Sequence, residues 1–146
     1  MPSEPEICEL DVLIGTWRTE GEVFGDDGEI PVARVDGYDH YEWLGRAFVI
    51  HRIDVEMGSE PVQGLEMIGP YLGGRSFATR AYDHEGGEQT STATVDGDGV
   101  WTFRADGTEA KMSFSEDRSL ALVEWIRTDY GGATWRPWMR LTLSRR

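Results

Sequence analysis

From Gly15 onward the chain is divided into about ten short alternating segments, separated by brief clusters rich in Gly and Asp, with almost no helical period among them. Connections this short force neighbouring strands to pair antiparallel in up-and-down order. Strands are expected at 16–24, 30–43, 46–57, 61–68, 76–82, 88–95, 100–105, 110–114, 120–128 and 134–144. Ten strands in an open meander leave two long exposed edges, so closure into a barrel is the economical solution. A barrel of this size is either filled by its own side chains or encloses a ligand cavity. Several inward positions here are polar or charged, which favours a lined cavity.

A single exception to the strand pattern lies at the start. Ser3-Glu4-Pro5-Glu6 has capping-box spacing, and Ile7, Leu10 and Leu13 recur every three residues. A short N-terminal helix closing one end of the barrel is therefore expected. Its Cys8 is the chain's lone cysteine and has acidic neighbours, which raise a thiol's pKa and make it a poor nucleophile.

The 146 residues fit one domain, 1–146, with no linker or low-complexity stretch. Sixteen aromatic residues, six of them Trp, concentrate buried area in few positions. A net charge of −13 disfavours nucleic acid and anionic membrane surfaces as partners. No apolar run reaches spanning length, and a lone Cys with no leader pattern fits a reducing, cytoplasmic setting. The acidic first 60 residues and the terminal Ser144-Arg145-Arg146 read as solvated surface charge.

Alternation assigns side chains to faces. In the segment 47–57, Val49, His51, Ile53, Val55 and Met57 share an apolar, inward face against Arg52, Asp54 and Glu56. His51 is thus an imidazole among apolar neighbours, the first candidate for a site. The alternative is a core histidine bonded to a backbone carbonyl or a nearby Tyr. On the preceding segment Val35, Gly37, Asp39, Tyr41 and Trp43 face inward, which sets Tyr41 and Trp43 beside His51 and Asp39 near one end. The 76–82 segment does not choose a face. If Arg80 and Tyr82 point inward, the cavity gains a cation and a phenol suited to a carboxylate or enolate-like oxygen; otherwise Arg80 is a surface ion-pair residue. Glu124 sits among apolar alternates and requires either an Arg partner or a raised pKa. Pro137, lacking a ladder donor, marks an edge or a bulge.

Four stretches now carry a resemblance: Leu13-Ile14-Gly15-Thr16-Trp17-Arg18, His51-Arg52-Ile53-Asp54-Val55 with Met57-Gly58 and Glu60-Pro61-Val62, Gly64-Leu65-Glu66, and Thr134-Trp135-Arg136-Pro137-Trp138-Met139. The chain resembles short bacterial lipocalin-like barrels, common in actinobacteria and grouped as a domain of unknown function. The resemblance implies the calycin type of barrel, with Trp17 across the closed end and covered by a late basic side chain, Arg140 or Arg136. It implies no activity. More distantly the chain is similar to nitrobindins, which bind haem through a His in their C-terminal part. The last His here is His84, so no cofactor is expected. His40, His51 and His84 show no metal-ligand spacing either.

The leading expectation is a binder of a small, partly apolar molecule, its cavity lined by Tyr41, Trp43, His51 and Tyr82 with Arg80 as polar anchor. The rival is an enzyme of isomerase, cyclase or hydrolase type, with His51 as general acid or base and Tyr41, Tyr82 or Arg80 stabilising an oxyanion. A third class, assembly with a partner such as a second copy in a homodimer, rests on the Pro137 edge and on Trp side chains that the alternative faces would expose.

Overall fold

A computed structural model of the chain describes residues 9–128 and 134–146. Its strands are β1 (Gly15–Phe24), β2 (Pro31–Leu44), β3 (Phe48–Met57), β4 (Glu60–Gly73), β5 (Ser76–Asp83), β6 (Glu88–Val95), β7 (Trp101–Ala105), β8 (Thr108–Phe114), β9 (Leu120–Thr128) and β10 (Trp135–Arg145). Each pairs antiparallel with the next, and β1 pairs with β10, so the sheet is a closed up-and-down barrel. Strand β4 runs five residues past the expected end at Ile68, through two register irregularities between Ile68 and Gly73. No helix among the described residues is long and apolar enough to cross a membrane.

The turns repeat one device. Asp27, Asp83, Asp96 and Asp117 each turn a carboxylate oxygen back onto backbone N–H groups two to four residues later. Those donated bonds hold all four carboxyls below their ordinary pKa.

The expected helix is only a 3-10 turn, Glu9–Leu13. Leu10 and Leu13 are fully buried, and a repeat of three suits a 3-10 turn, in which i and i+3 eclipse. The capping-box residues, Cys8 and Tyr130-Gly131-Gly132, the separator expected between the last two strands, lie outside the described residues. The turn plugs the barrel end where β1 begins. There Trp17, Trp101, Phe77, Ile68 and Val49 are all completely buried, and they fill this half with side chains.

Trp17 donates its indole N–H to Leu13 O at 2.9 Å and thereby ties the plug to β1. Its cover is neither Arg140 nor Arg136. The Arg145 guanidinium lies 4.0 Å from the Trp17 ring centroid and donates to Ile14 O at 2.5 Å and Val12 O at 2.8 Å. Arg140 instead pairs with Glu124 at 3.4 Å on the outer face, and Arg136 sits at the opposite end of β10. Arg145 is the residue directly across from Trp17 in the β1–β10 ladder.

Pro137 marks a bulge and not an edge, for the β9–β10 register shifts between Pro137 and Met139. Past that shift Met139 and Leu143 are buried, whereas Trp135 is exposed. In β9 the inward set is Ala121, Val123 and Trp125, and Leu120 and Leu122 face out beside Glu124.

Removing Arg145 strips the end plug of two hydrogen bonds and a cation–π contact. Arg145→Ala is expected to lower stability by about 1–3 kcal/mol in urea unfolding, and Arg140→Ala, which loses only an exposed pair, by no more than about 0.5 kcal/mol. Equal losses in the two variants contradict this assignment of the cover.

Candidate functional site

Beyond the filled half the barrel is hollow. A cavity of about 540 Å³ opens toward the end carrying the β3–β4, β5–β6 and β7–β8 turns. Its walls are mainly apolar, among them Ile53, Val55, Phe103, Trp125, Trp138 and Met139. At its deepest level, one ladder step above buried Val49 and Ile68, lies a polar cluster.

His51 is the centre of that cluster, buried at 8% exposure. Its Nε2 lies 2.6 Å from Asp39 Oδ1 and its Nδ1 2.9 Å from Glu66 Oε1. The other Asp39 oxygen accepts from the Thr19 hydroxyl. Tyr41 stacks flat on the imidazole, centroids 3.9 Å apart and planes 10° from parallel. Register explains the assembly: Tyr41 and Glu66 stand directly opposite His51 on its two neighbouring strands, and Asp39 stands one diagonal step away.

Both partners of the ring are carboxylates, which only accept, so each bond needs a proton on the ring nitrogen. Two such bonds make His51 an imidazolium. Burial opposes that charge, but hydrogen bonds and Coulomb attraction from Asp39 and Glu66 outweigh it and raise the pKa from 6.5 to about 9. Burial and the same two carboxylates push the Tyr41 phenol well above its usual value, so it stays neutral. Asp39 and Glu66 take opposite nitrogens of one ring, so the three side chains do not converge on a common metal position, and no metal-binding group of three appears among the described residues.

Of the residues proposed from sequence, Tyr41 and His51 meet at the cavity floor. Tyr82 does not point inward: it has the outward parity of β5, is 42% exposed and meets the cavity only at its rim. Trp43 and Arg80 are not among the lining residues. Trp43 has the inward parity but sits in the filled half, its indole N–H donating to Asp11 at 3.2 Å. Arg80 is outside, 3.7 Å from Glu88, because Phe77, Thr79 and Ala81 take the inward side of β5. It is therefore not the cavity's polar anchor. Asp39, expected near one end, is instead part of the central cluster.

Sequence reasoning missed the parts played by Glu66 and Thr19. Glu66 was within reach, since a two-residue Gly58-Ser59 turn pairs Met57 with Glu60 and, counting outward, His51 with Glu66. Trp138 was hidden because it is the extra residue of the bulge between Pro137 and Met139, where strict alternation assigns no face.

No family model matches the chain, and no curated protein matches it. The barrel is similar to the crystal structure of Rv2717c from M. tuberculosis, with a TM-score of 0.69 at 15% identity over 97% of this chain and 98% of that one. It is also similar to a redesigned β-barrel, mFAP0, bound to DFHBI, with a TM-score of 0.53 at 11% identity over 92% of this chain and 99% of that one. At these identities the likeness establishes the β-barrel fold alone.

Proposed function

We propose that this protein binds a small, partly apolar molecule in its cavity, and that it is a barrel of the lipocalin-like kind its sequence resembles. The observation that carries the proposal is a hollow of about 540 Å³ with apolar walls and one buried polar cluster at its floor. Ligand sites have this size and this distribution of polarity. That mFAP0 holds DFHBI supports the proposal from the side of shape, since a barrel of similar form accommodates a small molecule.

Acid–base catalysis by His51 fits the geometry less well. A general base needs a free lone pair, and both ring nitrogens already donate to carboxylates. The phenol nearest the imidazole stacks on it, whereas oxyanion stabilisation calls for a donor aimed at a reacting atom. His51 acts here as a fixed charge that lets two carboxylates stand together at the floor of an apolar cavity.

Two predictions follow from these roles. N-phenyl-1-naphthylamine, a neutral dye that brightens in apolar surroundings, should bind saturably at one site. Ala105→Trp, which places an indole in the outer part of the cavity, should abolish the fluorescence gain while leaving the circular dichroism unchanged. Dye binding that survives this variant contradicts a cavity site. The second concerns pH. A folded pKa raised above the unfolded value gives stability that is complete below about pH 6.5 and is lost as pH rises through about 9. Urea unfolding should therefore show the wild type weakening across that window, and His51→Gln should remove this component of the slope. A wild-type curve that runs parallel to the variant's over the same window overturns the imidazolium assignment.

A further inference from the structure

Among the described residues, the charged side chains lining the cavity are Asp39, Glu66, Asp83 and Glu88 against the cation His51, with no Arg or Lys in that lining. That one cation is already shared between two carboxylates. Both oxygens of Asp39 are engaged, one by His51 and one by Thr19. Glu66 differs: Oε1 accepts from His51, and Oε2 makes no hydrogen bond among the described residues. The floor therefore presents a carboxylate oxygen with accepting capacity to whatever enters.

The rim repeats the sign. Asp83 Oδ1 accepts from the backbone N–H groups of Glu85 and Gly87, which hold the carboxyl ionised, and Glu88 is only loosely countered by Arg80 at 3.7 Å. Between floor and rim stand the aromatic rings of Phe103 and of Trp125, the latter at 78° to Trp138 with centroids 5.7 Å apart. Aromatic faces attract cations. Arg127, opposite the lining residue Thr108 on the neighbouring strand, is the guanidinium nearest the mouth; it lies 5.7 Å over Trp138 and pairs with Asp26 at 3.4 Å. Among the described residues an anionic ligand meets carboxylates at floor and rim, and the guanidinium nearest the mouth, Arg127, is already shared with Asp26 and Trp138; a neutral ligand leaves Glu66 Oε2 without a charged partner.

We propose that the molecule bound in this cavity is an organic cation, an ammonium or amidinium group on an apolar body, with its charged end donating to Glu66 and its body against Phe103 and Trp125. This rests on the cavity being the binding site, and the probes below separate failure of the two. The class also reverses the carboxylate-type ligand that an inward Arg80 implied.

The test is calorimetric titration at pH 7 with three probes of one shape: 1-naphthylmethylammonium, 1-naphthalenemethanol and 1-naphthoate. The ammonium is expected to bind about tenfold or more tightly than the alcohol, and the carboxylate most weakly. Glu66→Gln should erase the ammonium's advantage and leave the alcohol within about twofold of its wild-type affinity. Asp83→Asn retains the oxygen that caps the exposed turn, removes the rim charge without touching the floor, and should reduce the advantage by about two- to threefold. An alcohol or carboxylate that matches the ammonium overturns the cation assignment and leaves the cavity site standing. Absence of binding by all three overturns the cavity site, and the cation assignment with it. An unchanged preference in both variants also overturns the assignment of Glu66 and Asp83.

Discussion

Pairing of the first strand with the last gives this chain an interior. The β1–β10 ladder runs through seven residue pairs from Trp17–Arg145 to Val23–Met139, and without it the sheet has two edges and no enclosed volume. The same ladder sets Arg145 over Trp17, and from there the guanidinium reaches the carbonyls of Val12 and Ile14. One seam thus closes the barrel wall and locks its end plug. The filled half that results is a rigid base on which a hollow half can stand.

At the boundary between the halves the chain places charge. A buried imidazolium is costly alone, and so is either carboxylate; together, with Thr19 on the far oxygen of Asp39, most of their hydrogen-bonding capacity is met. Tyr41 covers one face of the ring. What remains is one carboxylate oxygen of Glu66, a residue of the cavity floor, beneath mainly apolar walls and an acidic rim. Such an arrangement suits recognition better than turnover, because the groups are mutually fixed and their protons committed.

Much of this was legible in the sequence wherever the relevant contact was local. Alternation alone set His51, Asp39 and Tyr41 on inward faces, and a two-residue turn held the register that places Glu66 opposite His51. Nonlocal facts were not legible. Arg145 reads as terminal surface charge until barrel closure brings it to Trp17 across a separation of more than a hundred residues. Trp43 obeys its parity, yet depth along the barrel, which alternation does not encode, decides whether an inward residue meets the plug or the cavity. Arg80 and Tyr82 lay on a strand of nearly equal faces, and only the neighbouring strands' packing resolved them. The bulge at Pro137 was recognisable by residue type, but its effect on Trp138 follows only once the position of the shift is known.

The cavity floor stands on His51 carrying a proton on each ring nitrogen at neutral pH, held between Asp39 and Glu66. Nitrogen-15 NMR of the histidine side chains at pH 7 tests it directly. His51 is predicted to show two protonated ring nitrogens, each with the signature of a hydrogen-bonded imidazolium N–H. A single protonated nitrogen with a free lone pair on the other would mean that no imidazolium joins the two carboxylates.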